Sequence, residues 1–157
     1  KNCYSTDTIT RSVRRANVLK LNDEEARYVA DLFGIPGGSV ASFSEEIVRK
    51  FSPDCCVVTL GERGAFAASA DNERAYVPGY KVDVVDTCGS GDAFTAGFIY
   101  SLFRGRPLKE CCDLGNAMGA MVAAQPGATM AITRQEIEQF MGAEHVRISE
   151  ASLEPFL

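Results

Sequence analysis

The segment from Asp92 to Arg104 is apolar on nearly every side, and this limits the folds that are open to the chain. Large apolar residues stand beside small ones, so no polar face is left for solvent. A helix of this kind must be buried, and its small residues allow close packing against a sheet. We therefore predict a buried helix that ends at Gly105. The large residues are Phe94, Phe98, Ile99, Leu102 and Phe103, and the small ones are Ala93, Ala96 and Gly97.

Helical and strand-like segments alternate along the rest of the chain. Helix, buried strand, helix, buried strand is the order of a parallel α/β sheet, and a hairpin across Asp71-Asn72 follows it. The predicted helices are 5–16, 26–33, 42–51, 92–104, 108–124 and 134–141, and the predicted strands are 18–21, 55–60, 64–69 and 74–77.

Capping signals mark four of the helix starts. Ser5, Thr6 and Asp7 are the cap candidates of the first helix. In the second helix, acidic residues follow Asn22, and Gly34 comes just past the helix end. Ser42 with Glu45 forms a capping-box pattern at the third helix, and Thr133 with Glu136 forms another at the last.

Composition and charge favour a cytoplasmic globular protein without nucleic-acid or membrane partners. With 157 residues, 46% apolar and 24% charged, the chain is long enough for one domain with a core. A net charge of -5 provides no positive field for nucleic acid or anionic lipid. The sequence shows no signal-peptide pattern and no run of about 20 apolar residues.

The six cysteines are predicted to be reduced thiols rather than disulfides or zinc ligands. Cys55-Cys56 and Cys111-Cys112 are adjacent pairs inside apolar runs, where cysteine acts as a small hydrophobic residue. No CxxC pair occurs and His145 is the only histidine, which argues against structural zinc.

A turn of small residues, Asp86 to Asp92, leads into the apolar helix. Such a turn exposes backbone N–H groups without helical partners, and the helix dipole adds positive potential, so the turn can bind phosphate. Asp92 in the first turn fits a base that takes a proton from a hydroxyl attacking a phosphoryl group. An acid that only stabilises the helix start is the alternative. No Gly-Lys pair is present, which excludes a Walker A loop, and Phe94 replaces the third glycine of a dinucleotide fingerprint.

The run from Asp86 to Ile99 resembles the C-terminal signature of the PfkB family of carbohydrate kinases, which includes ribokinase. The resemblance implies that Asp92 is the catalytic base. It also implies that the preceding backbone forms the anion hole, at Gly89, Ser90 and Gly91.

Three shorter motifs resemble the same family and follow its order along the chain. Asn22 and Glu25 resemble its NxxE motif, which implies that Glu25 orders the water shell of the Mg²⁺ carried by ATP; Asp23 stands where Glu is usual. The same pair is also a capping-box pattern, and both interpretations can hold.

The other two motifs imply contacts with the nucleotide. Thr59, Gly61 and Gly64 resemble the strand end and turn that contact the ATP phosphates, with a plain β-turn as the alternative. Asn116 corresponds to the position beside adenine, although a helical Asn is also commonly solvated or bonded to backbone.

The resemblance implies a three-layer ribokinase-like α/β sandwich with a mostly parallel sheet, and an ATP- and Mg²⁺-dependent sugar kinase. The stretches 19–25 and 80–85 look most like fructokinase-type members. Ribokinase, 2-keto-3-deoxygluconate kinase, a nucleoside kinase and a non-catalytic ATP-binding relative stay open. K⁺ activation is expected at a site formed by Asp86, the Cys88 carbonyl and the loop at Gly127-Ala128.

Family members are considerably longer than this sequence, and the similarity runs from Val18 to Met141. We therefore expect residues 1–157 to be the C-terminal ATP-binding and catalytic portion of one domain, without the N-terminal sugar-binding half and lid. That half and a sugar would be its partners, and a homodimer stays open. The sheet is expected to have an unpaired edge.

Overall fold

The computed structural model describes residues 5–157 and contains six α-helices and six strands within that range. Two 3₁₀ turns accompany them, at Gly61–Arg63 and Ala151–Phe156. The helices are α1 Thr6–Arg15, α2 Asp23–Phe33, α3 Val40–Phe51, α4 Ser90–Leu102, α5 Leu108–Ala123 and α6 Arg134–Gly142. The strands are β1 Val18–Asn22, β2 Cys55–Thr59, β3 Ala65–Ser69, β4 Arg74–Val77, β5 Gly79–Tyr80 and β6 Arg147–Ile148.

The main sheet has the order β1-β2-β3-β4. Strands β1 and β2 are parallel, with Leu19 opposite Cys56, whereas β2–β3 and β3–β4 are antiparallel. The α/β class is confirmed, and so is the hairpin, which turns at Asn72 with a φ of 62°. Because that hairpin supplies two of the four strands, the sheet in these residues is mixed rather than mostly parallel.

Helices cover both faces of the sheet, which confirms three layers. Side chains alternate along β2, so that Cys56 and Val58 join the core formed with α1, α2 and α3, while Cys55 and Val57 join the core formed with α4 and α5. All four side chains are at most 1% exposed. Burial of each Val contributes about 1.5–3 kcal/mol, so β2 fixes the two helical layers to the sheet.

Helix α4, which was predicted to pack against the sheet, also packs closely on α5. A Cβ on Gly97 would lie 2.9 Å from Met118 Sδ and 3.0 Å from the Leu114 carbonyl oxygen, so this small residue serves the contact with α5 rather than with the sheet. The predicted burial of Phe103 is wrong, because α4 ends at Leu102 and Phe103 is 81% exposed beyond it.

One predicted helix start is also wrong. Helix α3 begins at Val40, and the Ser39 hydroxyl accepts from the Ser42 N–H. Ser42 therefore lies inside the first turn and does not form the predicted capping box with Glu45. The box at Thr133 and Glu136 is confirmed, with both of its hydrogen bonds present at the start of α6.

Residues 5–157 show the sheet edge, the helix lengths and the state of the cysteines about which the sequence made predictions. Strand β1 hydrogen-bonds to β2 alone within this range, which leaves the open edge that was predicted. No helix in the described range is long and apolar enough to span a bilayer. The five cysteines in this range are free thiols, and Cys3 lies outside the described residues.

Candidate active site

A cleft of about 620 Å³ opens where β1 and β2 end and α4 begins. Seven of the predicted site residues line it, which are Asn22, Thr59, Gly61, Gly64, Ser90, Gly91 and Asn116. Four others, Glu25, Asp86, Gly89 and Asp92, lie outside its lining. The fold therefore brings the four sequence motifs to one place, as parallel α/β sheets do at the carboxyl ends of their strands.

The first turn of α4 leaves donors open toward this region. Its N-cap is Gly89, with a φ of 81°, and a Cβ there would lie 2.8 Å from the Ala128 side chain, so glycine suits the position on both counts. The Ser90 N–H donates to the Thr87 carbonyl at 3.2 Å. Within residues 5–157, the N–H groups of Gly91 and Asp92 have no acceptor.

Two side chains at the start of α4 also lack partners. The Ser90 hydroxyl oxygen is buried, and it has no hydrogen bond within the described part of the chain. Asp92 is exposed and forms no hydrogen bond or ion pair with another described residue. A buried hydroxyl without a partner costs free energy unless a ligand satisfies it, which marks this turn as a binding surface.

Lys20 is a cleft residue that the sequence reasoning missed. It lies on β1, half-buried, and its Nζ is 3.5 Å from where a Cβ on Gly91 would stand. No carboxylate within residues 5–157 pairs with it. Alternation along β1 was the available signal, because it places Lys20 on the same face as Val18, which packs on the α4 side of the sheet.

At the start of α2 the capping interpretation is confirmed. Asn22 Oδ1 accepts from the Glu25 N–H at 2.7 Å, and Glu25 Oε2 accepts from the Asn22 N–H at 2.8 Å. The second carboxylate oxygen of Glu25 accepts no hydrogen bond from the described residues. Glu25 is thus a cap with one oxygen still available.

The turn after β2 is held tightly by backbone contacts. The Leu60 N–H donates to the Gly64 carbonyl at 2.8 Å, and the Thr59 hydroxyl donates to the Leu21 carbonyl at 3.3 Å. A Cβ on Gly64 would lie 2.0 Å from the Val77 carbonyl oxygen, so no larger residue fits. The turn is a 3₁₀ turn whose backbone lines the cleft.

Asn116 is buried and bonded to backbone. Its Nδ2 donates to the Val77 carbonyl at 2.9 Å and to the Pro78 carbonyl at 3.4 Å, which ties α5 to the end of β4. Nearby, the Tyr80 hydroxyl donates to Asp113 at 3.0 Å, and burial, with Asp113 next, raises the pKa of Tyr80 to about 12. Tyr80 therefore stays neutral and contributes an apolar wall together with Val82 and Ile148.

Asp86 joins the two loops that were predicted to meet. Its Oδ1 accepts from the Cys88 N–H at 2.9 Å, and its Oδ2 accepts from the Gly127 N–H at 3.3 Å. The N–H groups of Val85 and Asp86 both donate to the Ala123 carbonyl. The carboxylate, the Cys88 backbone and the Gly127 loop thus lie together beside the start of α4.

One family profile and several known proteins are similar to this chain over most of its length. The profile described as pfkB family carbohydrate kinase matches residues 3–147. Aminoimidazole riboside kinase of Salmonella typhimurium is 32% identical over 131 residues, which are 80% of this chain and 39% of that protein.

Two solved structures are similar in fold as well. Ligand-free nucleoside kinase of Burkholderia thailandensis has a TM-score of 0.73 and 30% identity, over 88% of this chain and 43% of that chain. Fructokinase of Vibrio cholerae O395, in its fructose-, ADP- and calcium-bound form, has a TM-score of 0.72 and 29% identity, over 87% of this chain and 44% of that chain. The chain spans less than half the length of each of these three proteins.

Proposed function

The chain belongs to the pfkB family of carbohydrate kinases, and on that premise we propose that it forms the ATP-binding and catalytic portion of an enzyme that phosphorylates a sugar hydroxyl. One observation carries the proposal. Among residues 5–157, the start of α4 combines two N–H groups without acceptors, a buried hydroxyl without a partner and, nearby, the ammonium group of Lys20 without a carboxylate. These groups together suit a phosphoryl group in the course of transfer.

The cleft also suits the rest of the nucleotide. Its volume of about 620 Å³ is in the usual range for a small-molecule site. Apolar side chains of Tyr80, Val82 and Ile148 line it and could hold a base, while the backbone of Gly61 and Gly64 lines it in the turn after β2. When bound with ATP, Mg²⁺ neutralises phosphate charge, and the free oxygen of Glu25 could hold one of its water ligands.

In the proposed reaction the substrate hydroxyl oxygen bonds to the γ-phosphorus while the bond from that phosphorus to the β,γ-bridging oxygen breaks. Asp92 accepts the hydroxyl proton. The N–H groups of Gly91 and Asp92 donate to the transferring phosphoryl group, and Lys20 balances its charge. Because such transition states are loose, this positioning and charge balance are the main work of the protein.

A monovalent cation is proposed beside the open helix start. K⁺ prefers oxygen ligands, and the Asp86 carboxylate, the Cys88 carbonyl and the Gly127-Ala128 loop offer them. The Gln125 side-chain oxygen, two residues before Gly127, is buried and accepts no hydrogen bond within residues 5–157, which adds an oxygen that lacks a donor.

We keep the fructokinase type as the proposed substrate class, on the sequence of residues 19–25 and 80–85. The similar proteins named above carry the names of a riboside kinase, a nucleoside kinase and a fructokinase. Ribokinase, 2-keto-3-deoxygluconate kinase and nucleoside kinase are the alternatives. The sugar-binding half is proposed to lie outside this sequence, and the cytoplasmic location and the homodimer stay predictions.

The proposal is tested by measuring ADP release from the complete protein that carries this sequence. Fructose, ribose, 2-keto-3-deoxygluconate and a nucleoside are supplied in turn with MgATP. We expect ADP release that depends on one of these acceptors. ATP binding without ADP release on any acceptor would instead identify a non-catalytic ATP-binding relative.

A further inference from the structure

Arg63 lies at the end of the 3₁₀ turn after β2 and joins that turn to two distant elements. Its Nη1 donates to Glu150 Oε2, between β6 and the last 3₁₀ turn, and its Nη2 lies 3.5 Å from Asp23 Oδ2, at the first residue of α2. The side chains of Arg63, Asp23 and Glu150 are 40%, 28% and 26% exposed. They are therefore partly shielded from water, where ion pairs are stronger than at a fully exposed surface.

The main chain of Arg63 is held by the same partner elements. The Tyr76 hydroxyl donates to the Arg63 carbonyl at 2.7 Å and accepts from the Glu150 N–H at 2.5 Å. Tyr76 itself is fully buried in β4. Arg63 is thus bound to residue 150 twice, once through its guanidinium group and once through a buried phenol.

These contacts lie where three elements that line the cleft meet, namely the turn after β2, β5 and β6. A Cβ on Gly79 would lie 2.0 Å from the Glu62 carbonyl oxygen, so the turn packs directly on the backbone of β5. Strand β6 pairs with β5, and Ile148 of β6 lines the cleft. Glu62 and Gly64 line the cleft, whereas Arg63 between them does not.

We propose that Arg63 is a positioning residue for the nucleotide. It holds the turn after β2, the start of α2 and the C-terminal segment 147–156 in one relative geometry, and it does so without touching the ligand. This inference rests on the proposed ATP site, because the turn and the start of α2 are the elements assigned to phosphates and Mg²⁺. A displacement of these elements relative to one another would misplace their contacts with the nucleotide, so the geometry matters to nucleotide binding.

Arg63→Met in the complete protein tests the proposal. We expect the KM for MgATP and the Kd for MgADP, measured by calorimetry, to rise about tenfold, with kcat changed much less, because the chemical groups at α4 are untouched. Arg63→Lys keeps the charge but cannot reach both carboxylates with a planar fork, so it should restore only part of the affinity.

A matched control separates this effect from the general loss of an ion pair. Arg49→Met removes the Arg49–Glu46 pair within α3, and both residues of that pair lie outside the cleft lining. We expect it to leave KM, Kd and kcat unchanged.

The double variant Arg63→Met/Glu150→Gln gives the sharpest outcome. If the two residues act as one unit, the double variant should bind MgADP about as weakly as Arg63→Met alone. If the increases in Kd of the two single variants multiplied in the double variant, the proposal would be overturned. A lowered melting temperature of Arg63→Met with unchanged KM and Kd would also overturn it.

If Arg63→Met does not fold, Glu150→Gln tests the same pair with a side chain of the same shape, and an unchanged Kd would then overturn the inference. If the unsubstituted protein neither binds MgADP nor releases ADP, the proposed function fails and this inference fails with it.

Discussion

Two helices begin at the cleft, and their first turns are completed in opposite ways. At α2, Asn22 and Glu25 exchange two hydrogen bonds, so both side chains satisfy backbone donors of the turn. At α4, the N-cap Gly89 has no side chain to offer, and the N–H groups of Gly91 and Asp92 lack acceptors among the described residues. A capped start has its backbone donors satisfied by side chains, whereas an uncapped start keeps its donors for an anion.

Each start also carries an acid, and the caps decide what that acid can do. Glu25 has one carboxylate oxygen committed to the Asn22 backbone, so its first role is structural. Asp92 is exposed and has no described partner, so its carboxylate is available as a base. The comparison therefore supports a structural role for the cap at α2 and the proposed catalytic role for the start of α4, and substitutions can separate the two.

The largest effect is expected from Asp92→Asn in the complete protein. Loss of a general base typically lowers turnover by roughly 10²- to 10⁴-fold, while ATP affinity should stay near normal because the backbone donors remain. Turnover assays and nucleotide binding measure the two properties separately. A variant that keeps most of its kcat would remove Asp92 from the mechanism.

A smaller effect is expected from Lys20→Met. Loss of a hydrogen bond to a charged group costs roughly 1.5–3 kcal/mol, so kcat/KM for MgATP should fall about 10- to 100-fold. Lys50→Met on α3 is the control, since Lys50 bonds to the Phe33 carbonyl and lies outside the cleft lining. Equal kinetics in the two variants would show that Lys20 does not serve the phosphates.

The proposed K⁺ beside the start of α4 should have a still smaller effect. Asp86 ties the Cys88 backbone to Gly127, and a bound K⁺ would stiffen the same contacts. We expect the rate in KCl to exceed that in tetramethylammonium chloride about fivefold, at the lower end of typical coupling between two sites. Equal rates in the two salts would count against the site.

At the capped start of α2, substitution of Asn22 is expected to change stability, with the smallest effect on kinetics of this series. Asn22→Ala should lower the free energy of unfolding by about 0.5–2 kcal/mol, the usual cost of a lost N-cap. Thr133→Ala is the matched control, since it removes the corresponding box of α6, where neither Thr133 nor Glu136 lines the cleft. Chemical denaturation compares the two losses.

Glu25→Gln then separates the cap from the proposed metal role. Glutamine can still complete the capping box, so stability should stay close to that of the unsubstituted protein. If Glu25 also orders the Mg²⁺ water shell, the variant will need more Mg²⁺ for half-maximal rate. An unchanged Mg²⁺ requirement would leave Glu25 with the cap alone.

Much of the fold could be predicted because its signals are local. The boxes at Asn22 and Thr133 and the hairpin at Asn72 each depend on residues close in sequence. The sequence predicted Ser42 as the cap of α3, but Ser39 occupies that position, because the start of this helix depends on where the preceding loop ends. Strands β5 and β6 are two residues long, too short to give a pattern.

The candidate site was predictable where a motif carries it, and not where tertiary contacts do. Asp92 and its glycine-rich turn could be found from sequence because residue types and spacing define them. Lys20 approaches Gly91 only after β1 has been placed beside α4. Arg63 and Glu150 are separated by 87 residues along the chain, so their pairing had no sequence signal.

The most direct test of the open helix start is a crystal structure of the complete protein with MgADP and aluminium fluoride, which mimics a transferring phosphoryl group. We expect the fluoride atoms to lie about 3 Å from the N–H nitrogens of Gly91 and Asp92, with the Asn22–Glu25 box intact. A fluoride group bound elsewhere in the cleft, with these two nitrogens facing water, would contradict the assignment of chemistry to α4.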